Sequence, residues 1–382
     1  HSTLSSIQAL LAPSNTPPTQ LLRERADANT RLAQTLGLTN TFVDPDPQVH
    51  VDFVRRSHGL LKDVQASGWS RFRDICGEAT RQTLDHYSSA KAGKELAFDG
   101  FIQVVVLGTI LNGLLNPGRD MDSDLDTPSL SLVTTSINDL WTLSKTDAPP
   151  PPHLFQQLHD HLRQLIPPST GIPNPIDFVV PTWETMWRVC ATTIARAQGA
   201  DEYKDLFHDF LQTDTLTTQH FAAAGSRGFS VKDFIEEVMR LHPPSKHISR
   251  LRDQNDTAIV AGHIHPLNIF GRLLAWIRGT QTPTHIVRNV ADIETVLRVQ
   301  TIWSDDAHLF EPRRHQASSP EMREVKKLVF GHGSLRCVAA SWAPLAAAII
   351  SATIIEECEE AGWEVISGPK IGGRLGWEGW KV

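Results

Sequence analysis

Apolar residues recur along this chain mostly at helical spacing, and strand-like alternation is confined to short stretches. Amphipathic patterning predicts helices over 19–36 and 49–87, another ending near Lys145, and one over 153–165. The apolar segment from Phe98 to Leu115 reads as a buried helix. A long helix follows over Ile176–Ala197, although Pro181 lies five residues inside it; the missing N–H there frees a carbonyl near Asp177 and kinks the helix. The segment 230–250 carries one further helix ending at a proline pair, and 258–301 mixes short apolar runs with turns. An uncharged, small-residue run over 338–355 has about the minimum length of a membrane span, or of a helix deep in a core. The Gly- and Trp-rich tail 367–382 reads as a hairpin. Asp44-Pro45-Asp46-Pro47 and the stiff prolines of 149–152 punctuate the rest. The pattern predicts a mainly α chain with a small β region, without internal repeats.

Composition narrows the partners. The 382 residues include 40% hydrophobic and 21% charged side chains, as in a soluble globular protein with a sizeable core. A net charge of −7 argues against nucleic acid, whose phosphates require a basic surface. The four cysteines, Cys76, Cys190, Cys337 and Cys358, form no CxxC pair, which excludes a disulfide scaffold or zinc ribbon and fits a reducing compartment. No N-terminal signal or anchor is visible, and the chain begins at His1, so membrane association is expected only if an anchor has been removed. The lone sequon Asn255-Asp256-Thr257 does not imply secretion.

The chemistry gathers around Phe330-Gly-His-Gly-Ser-Leu-Arg-Cys337. A thiol closing a glycine-containing loop ahead of a helix suits a metal-seeking thiolate, and Gly331 and Gly333 allow a flat ligand to come close. Taken alone, the same cysteine reads as a small core hydrophobe. Trp69 and Arg73 share a helix face, as an aromatic–cation stack would. Glu184 and Thr185 put an acid beside an alcohol at the predicted kink, an arrangement that delivers protons or merely accompanies helix irregularity. Glu237 and Arg240 lie three apart on one face, a spacing any charged helix offers. Asp120-Met-Asp122-Ser-Asp124-Leu-Asp126 lacks the glycine and glutamate of a calcium loop and reads as solvated. Gly262-His263-Ile-His265 lacks a third metal ligand, and Asp305-Asp306 lacks the following acid of a diphosphate site.

In their order and spacing these motifs resemble the cytochrome P450 family, particularly its fungal members, from about Trp69 to the C-terminus. The resemblance implies a P450-like fold with haem between a long distal helix and a proximal Cys loop, in one domain over 1–382 with an abbreviated N-terminal region (1–68) and a haem-binding body (69–382). Phe330, Gly333 and Cys337 match the haem loop, making Cys337 the implied axial ligand to iron, with Arg336 beside it. Glu237, Arg240 and Arg314 (within Phe310-Glu-Pro312-Arg-Arg314) match the family's structural triad. Glu184 and Thr185 match the catalytic acid–alcohol pair, Trp69 and Arg73 the propionate-binding WxxxR pattern, and Arg250 a second propionate ligand; Trp183 is expected to face the substrate. Leu335, Ala339 and Pro181-Thr182 depart from the family's pattern. The implied activity is haem-thiolate monooxygenation of an apolar small molecule, in fungal secondary metabolism, in the cytoplasm or on the cytosolic face of the endoplasmic reticulum. It would use O2 and electrons from an NADPH-cytochrome P450 reductase docked near Arg323, Lys326 and Lys327. The alternatives are a reductase-independent haem enzyme (peroxygenase, dehydratase, isomerase or cyclase) and a non-catalytic ligand-binding relative.

Overall fold

The computed structural model describes residues 1–90, 96–118, 124–146, 149–213, 216–253 and 286–382. Among them, α1 (Leu4–Leu11), α2 (Pro18–Leu36), α3 (Pro47–Ser67) and α4 (Trp69–Ala90) lead into α5 (Phe98–Ile110), which a π-turn extends over Leu111–Leu115. Then come α6 (Thr127–Leu143), α7 (Pro152–Leu165), α8 (Ile176–Ala197), α9 (Asp201–Leu211), α10 (Thr218–Ala222) and α11 (Val231–Leu241). Strands β1 (His247–Asp253) and β2 (Ile286–Asp292) form an antiparallel ribbon, with Arg250 opposite Asn289. The chain continues through α12 (Ile293–Val296), α13 (Gln300–Trp303) and α14 (Pro320–Lys327) to α15 (Ala343–Glu360).

Four helices, α4, α5, α8 and α15, pack around one another at the centre. Every side chain of α5 from Phe101 to Ile110 is buried, which suits a helix enclosed on all sides. The 98–115 stretch is long and apolar enough to cross a membrane, yet 83% of it is buried inside the protein, so its apolar surface is spent on the core. The small residues Ala346, Ala347, Ala348, Ser351 and Ala352 are buried on α15 and let its neighbours approach. The thiols of Cys76 on α4 and Cys190 on α8 donate to the α15 carbonyls of Ile350 and Ala347, at 3.8 and 3.9 Å.

Three elements differ from the sequence expectation. The 49–87 helix is two helices, because Gly68 takes a φ of +88° between α3 and α4. The helix behind Cys337 starts only at Ala343; residues 338–342 are turns, and Pro344 occupies the first turn, where its missing N–H removes no helical bond. The tail closes through isolated bridges at Ile366–Lys381 and Ala97–Lys381 instead of a hairpin. It is held by Trp377 and Trp380 against Phe98, with ring centroids 5.3 and 5.4 Å apart.

Within α8 the freed Asp177 carbonyl accepts from the Asn40 side chain at 2.7 Å, and the Asp177 carboxylate accepts from Thr39 N (2.8 Å), Thr39 Oγ1 (2.6 Å) and Asn40 N (3.1 Å). The kink is therefore satisfied by the loop after α2. Asp126, in the acidic loop, caps α6 by accepting from Ser129 N at 3.0 Å. Asp120, Asp122, the sequon at Asn255, and His263 with His265 lie outside the described residues.

Candidate functional site

Of the four cysteines, only Cys337 is exposed. It ends a loop in which Gly331 and Gly333 take φ values of +78° and +73°, a region closed to most other residues. Cys337 N donates to Phe330 O at 2.8 Å, closing the loop on itself. A Cβ on Gly333 would lie 2.5 Å from Ala12 Cβ, so the segment after α1 rests directly on the loop. Enclosure by the surrounding protein raises the Cys337 thiol pKa; the Ala339 backbone N–H and the charge of Arg336, itself exposed, act against this. Ala339 thus supplies its donor from the backbone, and the absence of a glycine there removes none.

A second feature lies beside the loop. Ile248, Arg250 and Arg252 share one face of β1. Ile248 reaches within 4.0 Å of where a Gly331 Cβ would stand, while Arg252 donates to Leu10 O and Glu24 at the end of α1 and on α2. Arg250, between them, is buried and faces a second buried guanidinium, Arg25 of α2. The Nε atoms of both are buried and have no hydrogen-bond partner among the described residues. Burial, with Arg250's charge adding to it, pushes Arg25 down to about 9; burial pushes Arg250 down to about 10. Arg25 also donates to Thr41, whose hydroxyl contacts His50 Nδ1 at 2.9 Å. Two adjacent buried cations with spare donors are costly alone and suited to carboxylates.

Trp69 and Arg73 have partners on and around α15. Trp69 stacks on Trp342 (centroids 5.7 Å apart), just ahead of α15. Arg73 donates to Glu356 at 2.8 Å and to Leu211 O at 3.1 Å. Glu356 lies about 20 Å along α15 from its start, at 1.5 Å per residue. Sequence spacing offered Arg73; beside the loop the fold places Arg25 and Arg250, which have no bonded acid among the described residues, and Arg25 carries no motif to flag it.

On α8, Pro181, Thr182, Thr185 and Arg188 form a stripe of partial exposure along a helix otherwise almost wholly buried. Thr185 lies on that stripe. Glu184 does not; it is buried and clasped by Arg188 at 2.6 Å and by Arg374 of the tail. Trp183, expected to face substrate, has no exposure and donates its indole N–H to Gln103 O of α5 at 2.9 Å, because its turn of the helix faces the bundle.

Glu237, Arg240 and Arg314 come together in full. Arg240, with no exposure, grips both Glu237 oxygens at 2.7 Å, and Arg314 Nε reaches one at 3.0 Å. Glu311 N and His315 Nε2 complete the carboxylate's shell, each at 2.9 Å. Arg240 also binds the carbonyls of Leu297, Ala307 and Leu309, which ties the approach to the Cys loop onto α11. His315 and Asp306, the latter 3.2 Å from Arg314, were not legible as members from spacing. In the basic run, Lys326 pairs with Glu236, Lys327 with Glu324, and Arg323 with Ser318 O.

No protein-family model and no curated protein matches the chain by sequence. Solved structures do. CYP154A1 from Streptomyces coelicolor A3(2) superposes with a TM-score of 0.53 over 96% of this chain and 85% of its own, at 15% identity. The fold is cytochrome P450-like. The mainly helical P450-like body with its small antiparallel ribbon agrees with the architecture expected from the motifs; a likeness to a bacterial protein carries nothing specifically fungal. Among the described residues no three His, Cys, Asp or Glu side chains gather to hold a bare metal ion. A haem iron brings four nitrogens and needs only an axial ligand from the chain, so a lone accessible cysteine and two under-satisfied arginines fit that group.

Proposed function

We propose that the chain is a haem-thiolate enzyme that oxidises a small molecule with a largely apolar body. The observation that carries this reading is Cys337: an accessible thiol on a two-glycine loop, with a backbone N–H directed at its sulfur, within a P450-like fold. Haem, when bound, supplies the oxidising chemistry. Cys337 would hold it through its sulfur, and the Ala339 N–H and Arg336 would favour the sulfur's anionic form. Arg25 and Arg250 would receive the propionates, Phe330 and Gly333 would lie against the ring, and the Glu237–Arg240–Arg314 set would hold the loop's approach. Thr185 would hold a water at the partly exposed stripe of α8. Electrons would come from an NADPH-dependent reductase. The fungal, secondary-metabolic setting is proposed on motif resemblance.

One observation favours a second reading. With Glu184 clasped by two guanidiniums, the acid of the acid–alcohol pair is withdrawn from proton delivery, which suits haem chemistry that needs no reductase. Turnover without NADPH and reductase would select this reading; strict dependence on both would reject it. The common proposal is tested by absorption of the haem-supplemented protein, reduced under carbon monoxide. A red-shifted Soret band, lost in Cys337→Ala, is expected. Failure of the wild-type protein to take up haem would sink both readings.

A further inference from the structure

A third group of cations remains beyond the loop and the Arg25–Arg250 pair. Arg31 and Arg374 both stand over the indole of Trp141, at 5.3 and 4.2 Å from the ring centroid. They arrive from different elements, Arg31 from α2 and Arg374 from the tail, and meet at the end of α6. Arg31 lies six residues beyond Arg25, about 9 Å along α2, so the two groups are separate places. Arg188 joins from α8 through the carboxylate of Glu184, which it shares with Arg374. Among the described residues the group therefore holds one acid, Glu184, which Arg188 and Arg374 share and Arg31 does not touch. Arg374 donates besides to Asn138 Oδ1 at 3.1 Å, whereas Arg31, among the described residues, donates to the Ser144 hydroxyl and to no carboxylate.

The electrostatics agree with this imbalance. Burial pushes Arg374 down to about 10, and the charges of Arg188 and Arg31 add to that while Glu184 opposes it. Burial and the charge of Arg288 on β2 likewise lower Arg31. Trp141 is half-buried and Arg31 keeps partial exposure, so the group is open to a ligand.

We propose that Arg31 and Arg374, flanking Trp141, receive an anionic head group of the substrate, a carboxylate or phosphate on an apolar body. This rests on the proposed haem-thiolate function for its link to the reaction, but binding of the anion does not depend on it. An oxyanion there would pair the guanidinium that has no acid among the described residues and relieve the repulsion around Arg374, while the indole offers the adjoining body an apolar face.

Calorimetric titration of the haem-supplemented protein with decanoate, decyl phosphate and methyl decanoate tests it. At least one anion should bind about tenfold or more tighter than the ester, the scale of one charge-assisted hydrogen bond. The two anionic probes distinguish a carboxylate from a phosphate head. Arg31→Gln, which leaves no described acid unpaired, should abolish that preference and leave ester binding unchanged. The wild-type comparison needs no variant: anions binding no tighter than the ester overturn the proposal, as does a preference that survives both Arg31→Gln and the Arg31→Gln/Arg374→Gln double variant. Anion binding without a Soret band would reject the haem reading and leave the anion site standing. A Soret band without anion preference would do the reverse.

Discussion

Glu237→Gln probes the most heavily bonded carboxylate described in this fold. Burial by itself would raise the pKa of Glu237, but the bonds from Arg240 and His315, the Arg240 charge and the Glu311 N–H outweigh it and hold the group at about 2, against an ordinary value of 4.5. At 1.36 kcal/mol per pKa unit this is on the order of 3 kcal/mol of stability, fully present above pH 4.5 and lost as pH falls through about 2. Glutamine keeps the shape and one acceptor but not the charge, and leaves Arg240 in the interior without its only described carboxylate. Breaking a buried pair from one side costs roughly 3–5 kcal/mol, the same scale. In urea at pH 7, with a slope of about 3 kcal/mol/M, the midpoint should fall by roughly 1–1.5 M. Adding Arg240→Met should recover part of the loss, because the stranded cation is then gone. A single-variant cost below about 1 kcal/mol, or an Arg240→Met effect that simply adds, would refute the reasoning.

Three further outcomes follow from local geometry. His242 accepts from Arg196 at 2.8 Å and is pushed down to about 3 by burial and by the charges of Arg196 and Arg298, from an ordinary 6.5. Its proton is taken up on unfolding below pH 6.5, so between pH 8 and 5.5 it should remove on the order of 1 kcal/mol of stability, a loss absent from His242→Gln in paired urea titrations. Gly333→Ala adds a Cβ 2.5 Å from Ala12 Cβ at a φ of +73° and should cost about 1–3 kcal/mol by thermal melting, with Ala12→Gly recovering only the steric part. Asn40→Leu strands the Asp177 carbonyl and should cost about 1–3 kcal/mol, but much less in a Pro181→Ala background, where the helix N–H returns; equal costs in both backgrounds would exclude this account of the kink.

The parts of the site legible in the sequence were those built from near neighbours or from residues whose backbone demands are unusual. Glu237 and Arg240 meet because three residues bring side chains to one helix face, and the loop glycines are needed wherever φ is positive. The contacts that spacing did not foretell depend on distant partners. Arg73 has the spacing of a ligand, but Glu356 on α15 claims it. Glu184 sits beside Thr185 in sequence, yet a helix turns adjacent residues about 100° apart, and Arg374 arrives from 190 residues away to clasp the acid. Trp183 was assigned to a substrate by its neighbours and to the core by its direction.

The hydrophobic pattern by itself determined the helical body, the bounds of α8, the enclosed 98–115 segment and the loop that ends at Cys337, because periodicity and glycine conformation are local properties of the chain. Tertiary structure alone decided which charges are paired and which are left over. Burial removes water from every group at once, so a guanidinium's role follows from the acids that other elements bring within reach. Among the described residues Arg73 pairs with Glu356 and Glu184 with Arg188 and Arg374, while Arg25, Arg250 and Arg31 have no bonded acid.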